Sequence, residues 1–271
     1  MKHLPITTLA LFFPLLTAPA QAEDIMSILT RKADMPARLA PKSIEYSYTL
    51  TVDIKSREGK ELSEGQAVIR VDPSKPAGSR KQIISISDPE NEALQDFLKD
   101  SEDPENTPEK RAKNFWCGDS GAESNDEIGL TSDLSNITVI SENETEAVLR
   151  PDLPSLAKLL MQSDGNPEDA GKDERKMAKK LIERIEGNFT LAKPSAEMKG
   201  FSVHMTRPMT MKLVAKLKEM DVSQTCALAP NGHYHISTMK MNVQGKALGT
   251  RFGQELDMRI SDLAPLPESG F

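Results

Sequence analysis

The stretch SIEYSYTLTVDIK, Ser43–Lys55, alternates without a break. Ile44, Tyr46, Tyr48, Leu50, Val52 and Ile54 fall on one side, and Ser43, Glu45, Ser47, Thr49, Thr51 and Asp53 on the other. Successive side chains of an extended chain point to opposite faces, so this period of two predicts a strand with one buried and one wet face. Glu58-Gly59 supplies a turn, and Glu64–Asp72 continues as a second strand with Ala67, Ile69 and Val71 inward. Pro73–Gly78 is a turn by composition, and Arg80–Ser87 makes a third strand. The three form an antiparallel meander.

The same pattern returns in the last 85 residues. Phe189 and Leu191, then Phe201, Val203 and Met205, alternate with polar neighbours. Met209, Met211, Leu213, Ala215 and Leu217 alternate with Thr210, Lys212, Lys216 and Lys218 and read as one strand. Strands over Val222–Ala229 and His233–Val243 flank Asn231-Gly232, a strong hairpin signal, and a final strand carries Phe252, Leu256, Met258 and Ile260. Long one-sided strands joined in sequence predict an antiparallel sheet, apolar on one face only.

Helical spacing is confined to shorter pieces. Ile25, Ile28 and Leu29 share a face over Asp24–Ala33. Asp88-Pro89 reads as a cap with proline at the first helical position, before Leu94, Phe97 and Leu98. Leu134–Arg150 reads as a hairpin turning at Glu142-Asn143. Asp152 caps a helix with Leu156, Leu159 and Leu160, and a second runs from about Pro167 to Ile185 with Met177, Leu181, Ile182 and Ile185 on one side.

The chain has 271 residues, 38% of them hydrophobic, which suffices for a packed core. Its formal net charge of −7 excludes the basic balance of an ordinary nucleic-acid binder. Lys2 and His3 precede an apolar run, Leu4–Ala18, that ends in Ala20-Gln21-Ala22. A basic start, a short apolar centre and a small-x-small end mark residues 1–22 as a signal peptide; a shifted cut or an uncleaved anchor are the alternatives. No comparable apolar stretch follows, so no span remains after cleavage, and the protein is expected in a bacterial periplasm. Residues 23–271 read as a single β-rich domain with an acidic insertion at about 88–128, where 13 acidic residues face 4 basic ones. That excess reads as a solvated excursion or a docking loop.

Cys117 and Cys226 are the only cysteines. In an oxidising compartment they favour one disulfide over two buried thiols, stabilising by roughly 4–5 kcal/mol in the chain-entropy model. The Cys117 side of that bond holds Phe115 and the lone tryptophan, Trp116.

Catalytic motifs are lacking. There is no nucleophile elbow, no phosphate-cradling loop and no dinucleotide fingerprint, so neither an enzyme nor a cofactor is assigned. His233 and His235, two apart on a strand, would stand about 6–7 Å apart on one face and are the weak candidates for metal ligands. His204 falls on the polar phase of its strand, so no third ligand is found and no metal is assigned. Eight methionines lie between Met198 and Met258, several in phase with Phe201 and Phe252. Methionine is flexible and polarizable, which suits either a surface accommodating varied apolar chains or ordinary core packing. Lys212, Lys216 and Lys218 line the polar side of the late strands, a pattern that serves as edge protection or attracts anionic membranes.

The opening helix, the Ser43–Lys55 strand, the Gly59 turn and then EGQAVIRVDP, Glu64–Pro73, resemble the start of periplasmic lipoprotein carriers of the LolA/LolB type. The specific match covers about residues 44–73. The resemblance implies a mainly β (α+β) fold: one strongly curved antiparallel sheet, an incomplete barrel, with helices packed on its concave side over an apolar cavity. The function it implies is a soluble periplasmic carrier sheltering a lipid or lipoprotein acyl chain. The side chains expected to face the ligand or the core are Tyr46, Tyr48, Leu50, Phe201, Val203, Met209, Met211, Leu213, Met239, Met241, Phe252 and Met258. The alternatives are an envelope scaffold that binds another envelope protein without a ligand and, further off, a metal-assisted hydrolase at His233 and His235.

Overall fold

The computed structural model describes residues 24–33, 41–100, 107–117, 136–152, 179–193, 195–211 and 215–267. The Ser43–Lys55 alternation becomes strand β1 (Tyr46–Glu58), paired with β2 (Glu61–Val71), which pairs with β3 (Lys81–Ile86). Helices α2 (Glu92–Asp100) and α3 (Pro108–Lys113) follow, then β4 (Ile137–Glu142), β5 (Glu146–Pro151), β6 (Ile185–Ala192) and β7 (Met198–Met205). The chain ends in β8 (Met209–Met211), β9 (Ala215–Leu228), β10 (Tyr234–Ala247) and β11 (Thr250–Pro265). Helix α1 (Ile25–Ala33) precedes them all.

The eleven strands among the described residues join one antiparallel sheet in the order β3-β2-β1-β11-β10-β9-β7-β6-β5-β4, with β8 added on β9. The outer strands β3 and β4 do not meet, so the sheet is open and not a closed barrel. Register makes it one-sided. Val52, Met258, Met239, Gln224, Phe201, Phe189 and Leu149 lie opposite one another across seven strands. The next row on that face is Ile54, Leu256, Met241, Val222 and Val203. On the other face stand Asp53, Asp257 and Lys240, the last two 3.3 Å apart in an ion pair.

The described helices sit on the apolar face. Ile25, Ile28 and Leu29 of α1 bury against Ala147, Leu149 and Leu191. Asp24 caps this helix by accepting the Ser27 N–H, and Glu142 of β4 accepts the Ile25 N–H at 2.8 Å while pairing with the nearly buried Lys193 ammonium. Leu94 of α2 packs on Val52, Ile54, Ala67 and Ile69 at the other side of the sheet. Ala112 of α3, with Phe115 and Trp116, closes on Ile44, Tyr46 and Ala229.

Four expectations are corrected. Asn91, not Asp88, caps α2: its side chain accepts the Leu94 N–H, while Asp88-Pro89 makes the preceding turn. A Cβ at Gly65 would lie 3.0 Å from the Asn91 side chain, so the bare backbone lets this cap approach β2. Ile185 opens β6 instead of ending a helix, because from that residue the alternation Ile185, Phe189, Leu191 is buried against β7. The segment from Met209 to Leu217 is a hairpin, not one strand: Met209 faces Leu217 and Met211 faces Ala215. Pairing 209 with 217 and 211 with 215 keeps all four on one face, so period two cannot distinguish the two shapes. Finally, β10 begins at Tyr234, leaving His233 outside the strand in the Asn231-Gly232 turn region, where Gly232 takes φ +80°. The proposed leader, the helix with Leu156, and much of the 88–128 insertion lie outside the described residues.

Candidate functional site: a half-covered apolar strip

Strand register assembles the site from β11, β10, β9 and β7. Met258 and Leu256 face Met239 and Met241 of β10, which face Gln224 and Val222 of β9. Val222 in turn faces the buried Val203 of β7, and Val243 faces Met220. To one side α2 packs on β1 and β2; to the other α1 packs on β5 and β6. Between them Met239, Met241, Val222, Val243 and Phe252 are only half-buried and join none of the four packed clusters of described residues. From Phe252 to Met258 the strip runs about 20 Å along the strand.

One end of the strip is closed by an aromatic plug. Residues 115–117 add to β10 where β11 has not yet joined it: Ile236 donates to the Phe115 carbonyl and Cys117 to that of Tyr234. Phe115 and Trp116 are each 2% exposed, and Tyr46 and Tyr48 pack against them. Burial pushes the Tyr48 hydroxyl up to about 12, partly opposed by the Arg111 charge. The Cys117–Cys226 disulfide fastens the plug to β9. Gln224 turns its amide toward both sulfurs, at 3.7 and 3.9 Å.

The two histidines belong to this plug. His235 is buried, stacks on Phe115 and holds its Nδ1 2.9 Å from the Ile236 carbonyl; burial lowers its pKa. His233 packs edge-on to Trp116. No group of three potential metal ligands occurs among the described residues. His204 stands on the polar face, 3.8 Å from Glu186.

The sequence-derived residues distribute as follows. Tyr46, Leu50, Val203 and Met209 are buried; Tyr48, Phe201, Met239, Met241, Phe252 and Met258 are half-buried on the same face. Met211 pairs with Ala215, and Leu213 lies outside the described residues. The expected ligand- or core-facing set leaves out Met220, Val222 and Val243, and Leu256 too, although Leu256 is read on the apolar side of the final strand. Met220 and Val222 alternate with Glu219 and Asp221, a signal that was present but was hidden by starting that strand at Val222. Gln224 was legible only indirectly: it stands two residues before Cys226 on the same strand face, but its polarity kept it off an apolar list.

A separate cleft of about 390 Å³ lies near the β4 side. Arg150, Asp152, Glu183 and Glu186 are among its lining residues, which makes it a poor home for hydrocarbon.

No family model and no curated protein matches the chain. Among solved structures, a LolA-superfamily protein from Nitrosomonas europaea is similar at 9% identity, over 90% of this chain and 94% of that one, with a TM-score of 0.22. A likeness that loose carries no argument, and the fold rests on the strand register.

Proposed function

We propose that this protein is an exported carrier that shelters an acyl chain on the strip between α1 and α2. The observation that carries the reading is the half-burial of Met239, Met241, Val222, Val243 and Phe252 on a face whose two flanks are fully packed. Apolar side chains that are only partly covered by the described residues, next to two packed flanks, support a binding site on this face. The driving force is hydrocarbon leaving water, roughly 0.8 kcal/mol per methylene, less the cost of ordering the chain. Methionine lining suits guests of varied length, because the side chain repacks easily.

Export is supported by the leader-like residues 1–22 and by the disulfide, a bond rare in reducing compartments. No described helix is long and apolar enough to cross a membrane. The carrier function needs no covalent step. Protein purified from the exported fraction and extracted into organic solvent should yield lipid at close to one equivalent by mass spectrometry. A lipid-free extract from folded protein would count against the reading.

A further inference from the structure

The end of the sheet away from the aromatic plug carries an unusual charge pattern. Lys216, Lys246 and Arg251 lie directly opposite one another on β9, β10 and β11, on the polar face. Like charges at paired positions destabilise a sheet, and none of the three makes an ion pair or side-chain hydrogen bond among the described residues. Arg57 of β1, opposite Gly253 of β11, stands one row further along the same face, in a row that ends on Glu219 of β9. The β1–β2 turn lies against this tip, with the Gly59 N–H donating to the Arg251 carbonyl. Residues 57–62, 215–218 and 246–251 together hold six basic side chains and two acidic ones, Glu58 and Glu61.

An apolar side chain projects from the same place. Leu248 is 80% exposed, the highest value among the exposed large hydrophobics of the described residues. It occupies the first position of a two-residue hairpin turn with φ +50°, followed by Gly249 at +85°. Such turns favour asparagine or glycine there, so leucine is disfavoured both by its backbone conformation and by water. Leu62, 53% exposed and opposite Arg57, stands on the neighbouring hairpin. Unpaired cations alone would fit any polyanion. Cations ringing an exposed leucine fit a surface that is anionic outside and apolar just beneath.

We propose that the β10–β11 hairpin tip, with the Lys216–Lys246–Arg251 row beside it, docks the protein on an anionic lipid surface. Leu248 enters the acyl boundary and the cations meet headgroup phosphates. This goes beyond the carrier reading and does not depend on it.

The test is vesicle flotation with the protein expressed with its own leader and its N-terminus determined. Vesicles of phosphatidylcholine alone are compared with vesicles containing phosphatidylglycerol. The protein should float with the anionic vesicles, less so as salt is raised. K216Q/K246Q/R251Q should weaken binding about 100-fold, at about fivefold for each cation. Leu248→Asn should weaken it about tenfold or more. Asparagine accepts φ +50°, so that variant should unfold no earlier than the parent, which separates docking from folding. Equal binding to neutral and anionic vesicles would overturn the proposal. So would loss with the cation triple but no change with Leu248→Asn, which identifies charge adsorption without insertion, or binding to polyglutamate without binding to vesicles, which identifies an acidic polymer as partner. Uptake of a fluorescent fatty acid is measured on the same samples. Both variants should retain it, and if the parent lacks it the carrier reading fails while the flotation result stands.

Discussion

The imidazole of His235 stacks on the ring of Phe115, with centroids 5.4 Å apart and planes 17° from parallel. A carbonyl can only accept, so the 2.9 Å contact to Ile236 fixes the proton on Nδ1 of the neutral ring. Protonating His235 would place a charge directly against the Phe115 ring inside the plug. Burial lowers the His235 pKa. The stability it contributes is therefore present above the unfolded-state value of about 6.5 and is lost as pH falls through the folded value. The lone Trp116, edge-on to Phe115 at 4.8 Å, reports on the plug. Its emission should shift to the red as pH drops below about 6.5, and His235→Gln should flatten that transition. Identical acid curves for the two proteins would show that other groups govern it.

Glu142 is the anchor of α1. It accepts from the Ile25 N–H and pairs with Lys193, whose side chain is 5% exposed. Glu142→Gln leaves that ammonium without its counter-charge, so the variant should lose about 3 kcal/mol in urea unfolding. The companion Lys193→Met/Glu142→Gln double variant should recover part of the loss. Equal stability of Glu142→Gln and the parent would show that Lys193 reaches water.

Gly245 sits beneath Phe252. A Cβ there would lie 2.3 Å from the Phe252 ring and 2.7 Å from the Lys216 carbonyl. Gly245→Ala should therefore cost about 1–3 kcal/mol, the range for forcing an extra methyl into packed surroundings. Phe252→Ala should relieve part of that penalty and not all of it, because the carbonyl contact is backbone. Full rescue in the double variant would place the strain in the ring alone.

Much of the fold could be read from the chain because its signals are local. Ser43–Lys55 alternates for thirteen residues, and each of Tyr46, Leu50, Val52 and Ile54 is buried. Ile25, Ile28 and Leu29 face the core at helical spacing, and Asn231-Gly232 makes its turn. What escaped depends on partners far away in sequence. Period two is symmetric about a hairpin, so Met209–Leu217 looked straight. Helical spacing at Leu181, Ile182 and Ile185 overlaps the alternation that begins at Ile185, and pairing with β7 settles the contest for the strand. Of the site, Met239, Met241 and Met258 were readable as one face. Its half-covered state was not, since that depends on where α1 and α2 end up packing.

The most direct test places a photoactivatable fatty acid in contact with the folded protein and maps the adducts by peptide mass spectrometry. Adducts should concentrate on Val222, Met239, Met241 and Leu256, compete with unlabelled lipid, and drop sharply in Met241→Gln. Adducts scattered over the exposed outer strands β3 and β4, or none on β9–β11 at saturating probe, would contradict an acyl-binding strip.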